Sequence, residues 1–225
     1  MNIEVFTDFA CPFCYIGKRK LAMAIEQLGL QDDVHITYKS YQLNPEADRE
    51  KTIPLYETEF SKETAAEITE HAKEVGLTYA FDRVQIGNTE NAHRLAKWAK
   101  TQGKEAAFIE EMFHRYFTQG LNTNSHAELL DVVASTGLPV EEAAAVLEDV
   151  TAFQEQLAQD RYDVQQIPVT SVPFFVFENR YGIKGAEPLK IFVETLQQTK
   201  AYVTKEQSLQ IQGEQGANCS VDGCE

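Results

Sequence analysis

Strand-like sequence sits at the two ends of this 225-residue chain, and the long middle is patterned for helices. Ile3 to Phe6 is a short apolar run. Cys14 to about Leu28 then places Leu21, Ala24, Ile25 and Leu28 at helical spacing, and Gly29 stands where a helix closes in a left-handed residue. Val34-His35-Ile36-Thr37-Tyr38 alternates as a second strand. Such a passage predicts two parallel strands joined by a crossover helix.

From Ser61 to Gln165 the period is helical. One helix starts at Ser61 and ends before Gly76. A second runs from about Thr89 to Gln102, with Ala92, Leu95, Ala96 and Ala99 on one face, and a third carries Ile109, Met112, Phe113 and Tyr116. Ser125-His126-Ala127-Glu128 reads as a capping box, Pro139 precedes a short acidic helix, and Thr151-Ala152-Phe153-Gln154 is a further capping signal. No strand pattern interrupts this stretch, so it reads as all-α, with Phe108, Phe113 and Phe117 in its core. Strand character returns after Ile167-Pro168. Phe174 to Phe177, the polar turn Glu178-Asn179-Arg180 and Tyr181-Gly182-Ile183 make a hairpin. Pro188 opens a closing helix with Leu189, Phe192, Val193 and Leu196 on one face. The expected organisation is an α/β unit from residues 1–45 and 166–200, a helical insert over 46–165, and a flexible tail over 201–225.

All four cysteines fall in two local pairs, Cys11-Pro12-Phe13-Cys14 and Cys219/Cys224. The net charge of −15 argues against nucleic acid or anionic membrane as a partner. The N-terminus has no basic and apolar leader pattern, and no apolar run approaches the length that spans a bilayer, so the expected compartment is the cytoplasm. There, paired cysteines are more often catalytic or metal-binding than structural. The first pair sits at a strand–helix junction, where unpaired N–H groups and the positive helix end favour an anionic sulfur. Cys11 is expected to be exposed there and to attack a partner disulfide, with Cys14 more buried and resolving the mixed disulfide. Pro12 fixes the backbone between them and Phe13 offers an apolar rim, which makes both candidate substrate contacts. Four thiolates would also suit zinc, but CxxC beside a β–α–β pattern favours redox chemistry, and no metal is expected. Cys219-Ser-Val-Asp-Gly-Cys224 is read as a second redox pair exchanging with Cys11, set against two exposed thiols of little effect.

Asp8-Phe9-Ala10-Cys11-Pro12-Phe13-Cys14, Asn88-Thr89 leading to Ala92-His93-Arg94-Leu95, and Val172-Pro173 followed by Phe175-Val176-Phe177 resemble the DsbA-type thioredoxin superfamily. Within it they are most similar to the cytoplasmic FrnE-like oxidoreductases. The resemblance spans about residues 1–200 and implies a thioredoxin-like α/β fold interrupted by an all-α helical insert. It implies a thiol–disulfide oxidoreductase acting on protein disulfide or dithiol substrates, with glutathione or a thioredoxin-type reductant as electron partner. No organic cofactor is required, because the cysteines carry the electrons. It further implies that Pro173 is cis and that Val172 presents its backbone to an extended substrate. Phe13 stands where strongly oxidising periplasmic members carry histidine, so a less oxidising couple is expected here. Kappa-class glutathione transferases and hydroxychromene-carboxylate isomerases share the fold and keep a single Ser or Cys; the intact dithiol speaks against that alternative. His93 lies at the boundary of its helix's apolar stripe, as a packing residue or a cleft-lining one. Arg94 reads as a surface or interdomain ion-pair residue, and Asp8 as an acceptor for loop N–H groups.

Overall fold

A computed structural model describes residues 1–167, 169–207, 219–220 and 223–224. The front of the chain is β1 (Asn2–Thr7), α1 (Pro12–Gln27) and β2 (His35–Ser40). β1 and β2 run parallel, with Asn2 opposite His35 and Thr7 opposite Ser40. Gly29 closes α1 at φ 61°, a conformation that a Cβ disfavours.

The insert follows as β3 (Ile53–Pro54), α2 (Lys62–Lys73), β4 (Gln85–Ile86), α3 (Glu90–Thr101), α4 (Glu105–Gln119), α5 (His126–Ser135), α6 (Val140–Glu148) and α7 (Gln154–Gln166). β3 and β4 form a two-residue antiparallel ladder inside this helical region. Two residues carry no readable period, which is why the sequence shows no sign of it. Ser61 caps α2 by accepting the Thr64 N–H, and Ser125 caps α5 by accepting that of Glu128.

The capping signal at Thr151 is not used. α7 begins after Phe153, which is left-handed at φ 61°, and Thr151 instead donates its N–H and hydroxyl to Asp149 Oδ1 at 2.9 and 2.7 Å. Arg94 is the cause. Expected at the surface, it is only 1% exposed. Its Nε donates to Ala152 O (2.8 Å), its Nη2 to the carbonyls of Val146 and Asp149, and its Nη1 to Asn91 Oδ1 (2.8 Å). A planar five-donor fork satisfies the carbonyls left over at the end of α6, and the chain wraps round it. Sequence spacing cannot report this, because an arginine that pairs with backbone needs no acidic partner.

The last part of the sheet is β5 (Phe174–Phe177) and β6 (Tyr181–Lys184), turned through left-handed Glu178 and Asn179. β5 lies antiparallel to β1, Ile3 facing Phe177 and Phe6 facing Phe174, and the sheet order is β2-β1-β5-β6. α8 (Leu189–Gln207) packs on α1 and continues past the expected boundary at Lys200. β7 (Cys219–Ser220) and β8 (Gly223–Cys224) pair with Cys219 opposite Cys224. The expected thiol chemistry and mobility of the tail, like Pro168, lie outside what the structure describes.

Sheet and insert share one core. From the front segment, Phe9 packs at a tilt against Phe113 of α4 (ring centroids 5.3 Å) and Tyr15 stacks on it (5.2 Å), while Tyr79 stacks on Phe117 at 4.7 Å. On the other side of α1, Gly17 lets the helix press on the sheet. An added Cβ would stand 2.9 Å from Phe175 Cζ and 3.0 Å from Pro173 Cγ. Alanine gains about 1 kcal/mol of helix propensity over glycine, whereas overpacking a fixed core costs about 1–3 kcal/mol. Phe175 is fully buried and cannot swing away. Gly17→Ala is therefore expected to lower the thermal midpoint; an unchanged or raised midpoint by calorimetry would show that α1 has room to spare.

Candidate active site

α1 begins beneath the loop that enters β5. Cys11 is its N-cap residue in extended conformation, φ −93° and ψ 112°, with Pro12 in the first turn, where a missing N–H costs nothing. The Cys11 N–H donates to Asp8 O (3.1 Å) and the Cys14 N–H to Cys11 O (3.0 Å). These bonds turn the chain from the end of β1 into α1. The Val172–Pro173 peptide is cis, as expected, and Val172 O accepts a hydrogen bond from Cys11 Sγ at 3.5 Å. Opposite, the Tyr79 hydroxyl donates to Pro12 O at 2.8 Å. Held between these two, Cys11 is 6% exposed rather than open to solvent as the sequence led us to expect. Cys14 is deeper, at 2%, and both thiols are free.

Cys11 stands at the N-cap of α1 and Cys14 one turn further in. Burial pushes the Cys14 thiol well above its ordinary value, and Cys11 adds to this; the Thr7 side chain and the Asp8 backbone work weakly in the opposite direction. Cys14 therefore keeps its proton at neutral pH. Phe13 is the exposed member of the motif, at 37%, with its ring 6.4 Å from that of His71 on α2. Beside it lies a groove of about 350 Å3 lined by Phe13, Ile16, Met23, Val75 and Leu189, with Lys20 at its base. Lys20 donates to Ala186 O at 2.8 Å; burial lowers its pKa, although Glu74 and Glu187 act against this.

Asp8 is fully buried and serves as the loop acceptor that its position promised. Oδ2 accepts the Leu43 N–H at 2.7 Å, and Oδ1 accepts that of Ala10 at 3.4 Å and lies 3.3 Å from His93 Nε2. The His93 ring rests 4.8 Å from that of Phe9 and is 2% exposed, so it packs the seam and lines no open cleft. Sequence reasoning missed Tyr79, Thr7 and Glu110. Glu110 accepts from Tyr15 Oη at 2.7 Å and pairs with Lys18, locking α1 to α4. Burial alone would raise the Glu110 carboxyl, but Lys18 and Tyr15 hold it below the usual range. Tyr79 comes from an aperiodic loop, and nothing local marks it. Thr7 could have been found by extending β1 one residue toward the motif.

Among the described residues no three His, Cys, Asp or Glu side chains cluster to hold a metal, and no helix is long and apolar enough to cross a membrane.

The DSBA-like thioredoxin domain model matches residues 2–197. A solved structure from Streptomyces coelicolor, described as a probable DsbA oxidoreductase, is 28% identical with a TM-score of 0.84, covering 100% of this chain and 98% of that one. A 2-hydroxychromene-2-carboxylate isomerase shares the fold at 14% identity and a TM-score of 0.67, covering 92% of this chain and 100% of that one. So does the cytosolic disulfide reductase DsbM from Pseudomonas aeruginosa, at 14% and 0.63, covering 92% and 98%; it has also been solved with GSH. The family match takes in all four strands of the main sheet and every helix of the insert, and the chain belongs to the DSBA-like thioredoxin domain family.

Proposed function

We propose that this protein is a thiol–disulfide oxidoreductase that exchanges disulfides with protein substrates through Cys11 and Cys14. The observation that carries the reading is a pair of free, buried thiols at the start of α1, with Cys11 Sγ donating to the Val172 carbonyl at 3.5 Å. Cys11 attacks one sulfur of a partner disulfide; that S–S bond breaks, and the partner's other sulfur leaves as a thiolate and takes up a proton. Cys14 then loses its proton and attacks Cys11 Sγ, which releases the second partner thiol. The pair ends as a disulfide, oxidised by two electrons, and the partner is reduced. The same steps run backwards when the pair is the oxidant.

Substrate recognition follows from the surroundings. An extended segment lies beside Val172 and Pro173, adding to the backbone there, and Pro12 and Phe13 border it. The groove beside Phe13 accepts an apolar side chain. Glutathione or a thioredoxin-type protein returns the pair to the dithiol; the neighbour solved with GSH supports trying glutathione first. The cytoplasm, where thiols are kept reduced, suits such a cycle.

Cys219 and Cys224 form a second redox pair in this reading. Directly opposed antiparallel residues have Cα atoms about 4.5–5.5 Å apart, inside the range of about 4.4–6.8 Å that a disulfide needs. Leu189 borders the groove beside Phe13, and α8 leads about 27 Å away from it at 1.5 Å per residue. The chain after Gln207 spans up to about 40 Å before Cys219, so the tail has the length to return.

Two outcomes are expected. With oxidised glutathione, Cys14→Ser accumulates one glutathione per Cys11 by intact-mass spectrometry, and Cys11→Ser takes up none at the motif and reduces insulin no faster than buffer. Full turnover by Cys14→Ser would instead favour a single-thiol, glutathione-dependent transferase or isomerase. In a glutathione redox titration the wild type gives two resolved transitions and Cys219→Ser gives one; a single transition in both would remove the tail from the cycle.

A further inference from the structure

The groove beside Phe13 follows one stripe of α1. Phe13, Ile16, Lys20 and Met23 recur on its wall at helical spacing, and Val75, just after α2, and Leu189 of α8 complete its apolar lining. Three polar side chains interrupt the carbon. His71 and Glu74 are exposed, with His71 Nδ1 3.9 Å from Glu74 Oε1. Lys20 is the buried one, only 7% exposed.

An ammonium carries three N–H donors. Lys20 Nζ uses one, on Ala186 O at 2.8 Å, and among the described residues no carboxylate pairs with it. Glu74 and Glu187 act on it only through space, and burial lowers its pKa in spite of them. A positive charge and two donors are therefore left uncompensated beside an apolar groove. Burying a charge without a countercharge is costly. A carboxylate removes that cost, because it brings both the charge and the acceptor oxygens, whereas water or a backbone carbonyl brings only an acceptor.

The spacing along α1 says where that carboxylate sits in a substrate. Lys20 is nine residues beyond Cys11, about 13 Å along the helix axis at 1.5 Å per residue. An extended segment advances about 3.3 Å per residue, so four of its residues cover the same length. Alternate side chains of such a segment share a face. A cysteine at Cys11, an apolar residue two positions on and an acidic residue four positions on therefore all point toward α1. We infer that Lys20 selects acidic substrates by binding an Asp or Glu carboxylate four positions from the cysteine that Cys11 attacks, with the apolar residue midway held against Phe13 and Ile16; this rests on the dithiol reading above and narrows it. The net charge of −15 repels such a segment at long range, so the selection is made at contact. Lys20 is thus a specificity-determining residue.

The test uses full-length protein carrying Cys14→Ser, Cys219→Ser and Cys224→Ser, so that each molecule reacts once. The probes are peptides with acetylated and amidated ends whose one cysteine is a mixed disulfide with nitrothiobenzoate. Leu stands two positions from that cysteine and Glu, Gln or Lys four positions from it, after the cysteine in one set and before it in the other. The Cys11 thiolate attacks the peptide sulfur; the new S–S bond joins peptide to Cys11, and nitrothiobenzoate leaves with the electron pair of the broken bond. Its absorbance gives the second-order rate, and intact mass verifies that the peptide stays on Cys11. In one of the two sets the Glu peptide is expected to react about 10-fold faster than the Gln peptide, and the Lys peptide slowest. Lys20→Met brings the Glu and Gln rates together, Lys20→Arg keeps them apart, and Lys20→Glu makes the Lys peptide the fastest. The ratio within each protein is the readout, so a general loss of rate does not imitate the effect, and the parent's ratio decides even where a substitution unfolds the chain. Equal Glu and Gln rates in the parent in both sets overturn the inference, as does a ratio that Lys20→Met leaves unchanged; both leave the dithiol reading standing. Absence of nitrothiobenzoate release from every peptide brings down the dithiol reading itself.

Discussion

The aromatic seam between α1 and α4 is the interaction on which the rest of this structure depends. Phe9 and Tyr15, on either side of the cysteine motif, pack against Phe113, which continues through Phe117 to Tyr79. Each such contact is worth about 0.5–1.5 kcal/mol beyond the area it buries. The larger effect is geometric. Because the rings flanking Cys11 and Cys14 belong to the same core as the insert, the insert sets the tilt of α1. Through Gly17, that tilt sets how closely α1 meets Pro173 and Phe175.

Polar burial reinforces the seam. Asp8, three residues before Cys11, joins the end of β1 to the loop after β2 through Leu43 and to α3 through His93. The β2 edge, a row of backbone groups that would otherwise be open, is closed by side chains: Asp160 accepts the Ser40 N–H and the Lys97 ammonium donates to Tyr38 O. Arg94 does for the α6–α7 junction what a cap does for one helix end, gathering carbonyls from Val146, Asp149 and Ala152. The insert is therefore wired into the sheet and into the approach to the dithiol. Its packing helps to explain why both sulfurs are nearly closed to solvent in the free protein.

Much of this was legible beforehand, and for identifiable reasons. β1, α1, β2, β5 and β6 follow simple periods because each has one face against a core, and a glycine or polar turn closes the helix and the hairpin. The CPFC motif is local, so its place at a strand–helix junction could be read directly. What failed to show was short or distant. The β3–β4 ladder is too brief for a period. Thr151 looks like a cap until Arg94 claims the carbonyls around it. Cys11 looks exposed until the Val172 loop covers it, since exposure is set by a chain segment 161 residues away.

By itself, then, the order of residues determined which segments are strands and helices, that two sulfurs stand one turn apart at the start of α1, and that Val172-Pro173 precedes a strand able to meet them. Those are consequences of side-chain periodicity and backbone geometry, which act over a few residues. Only the tertiary structure decided that Tyr79 donates to Pro12, that Arg94 and His93 are interior, and that Glu105 Oε1 is buried with no hydrogen-bond partner. Burial and electrostatic environment arise from contacts between distant segments, and no local pattern carries them.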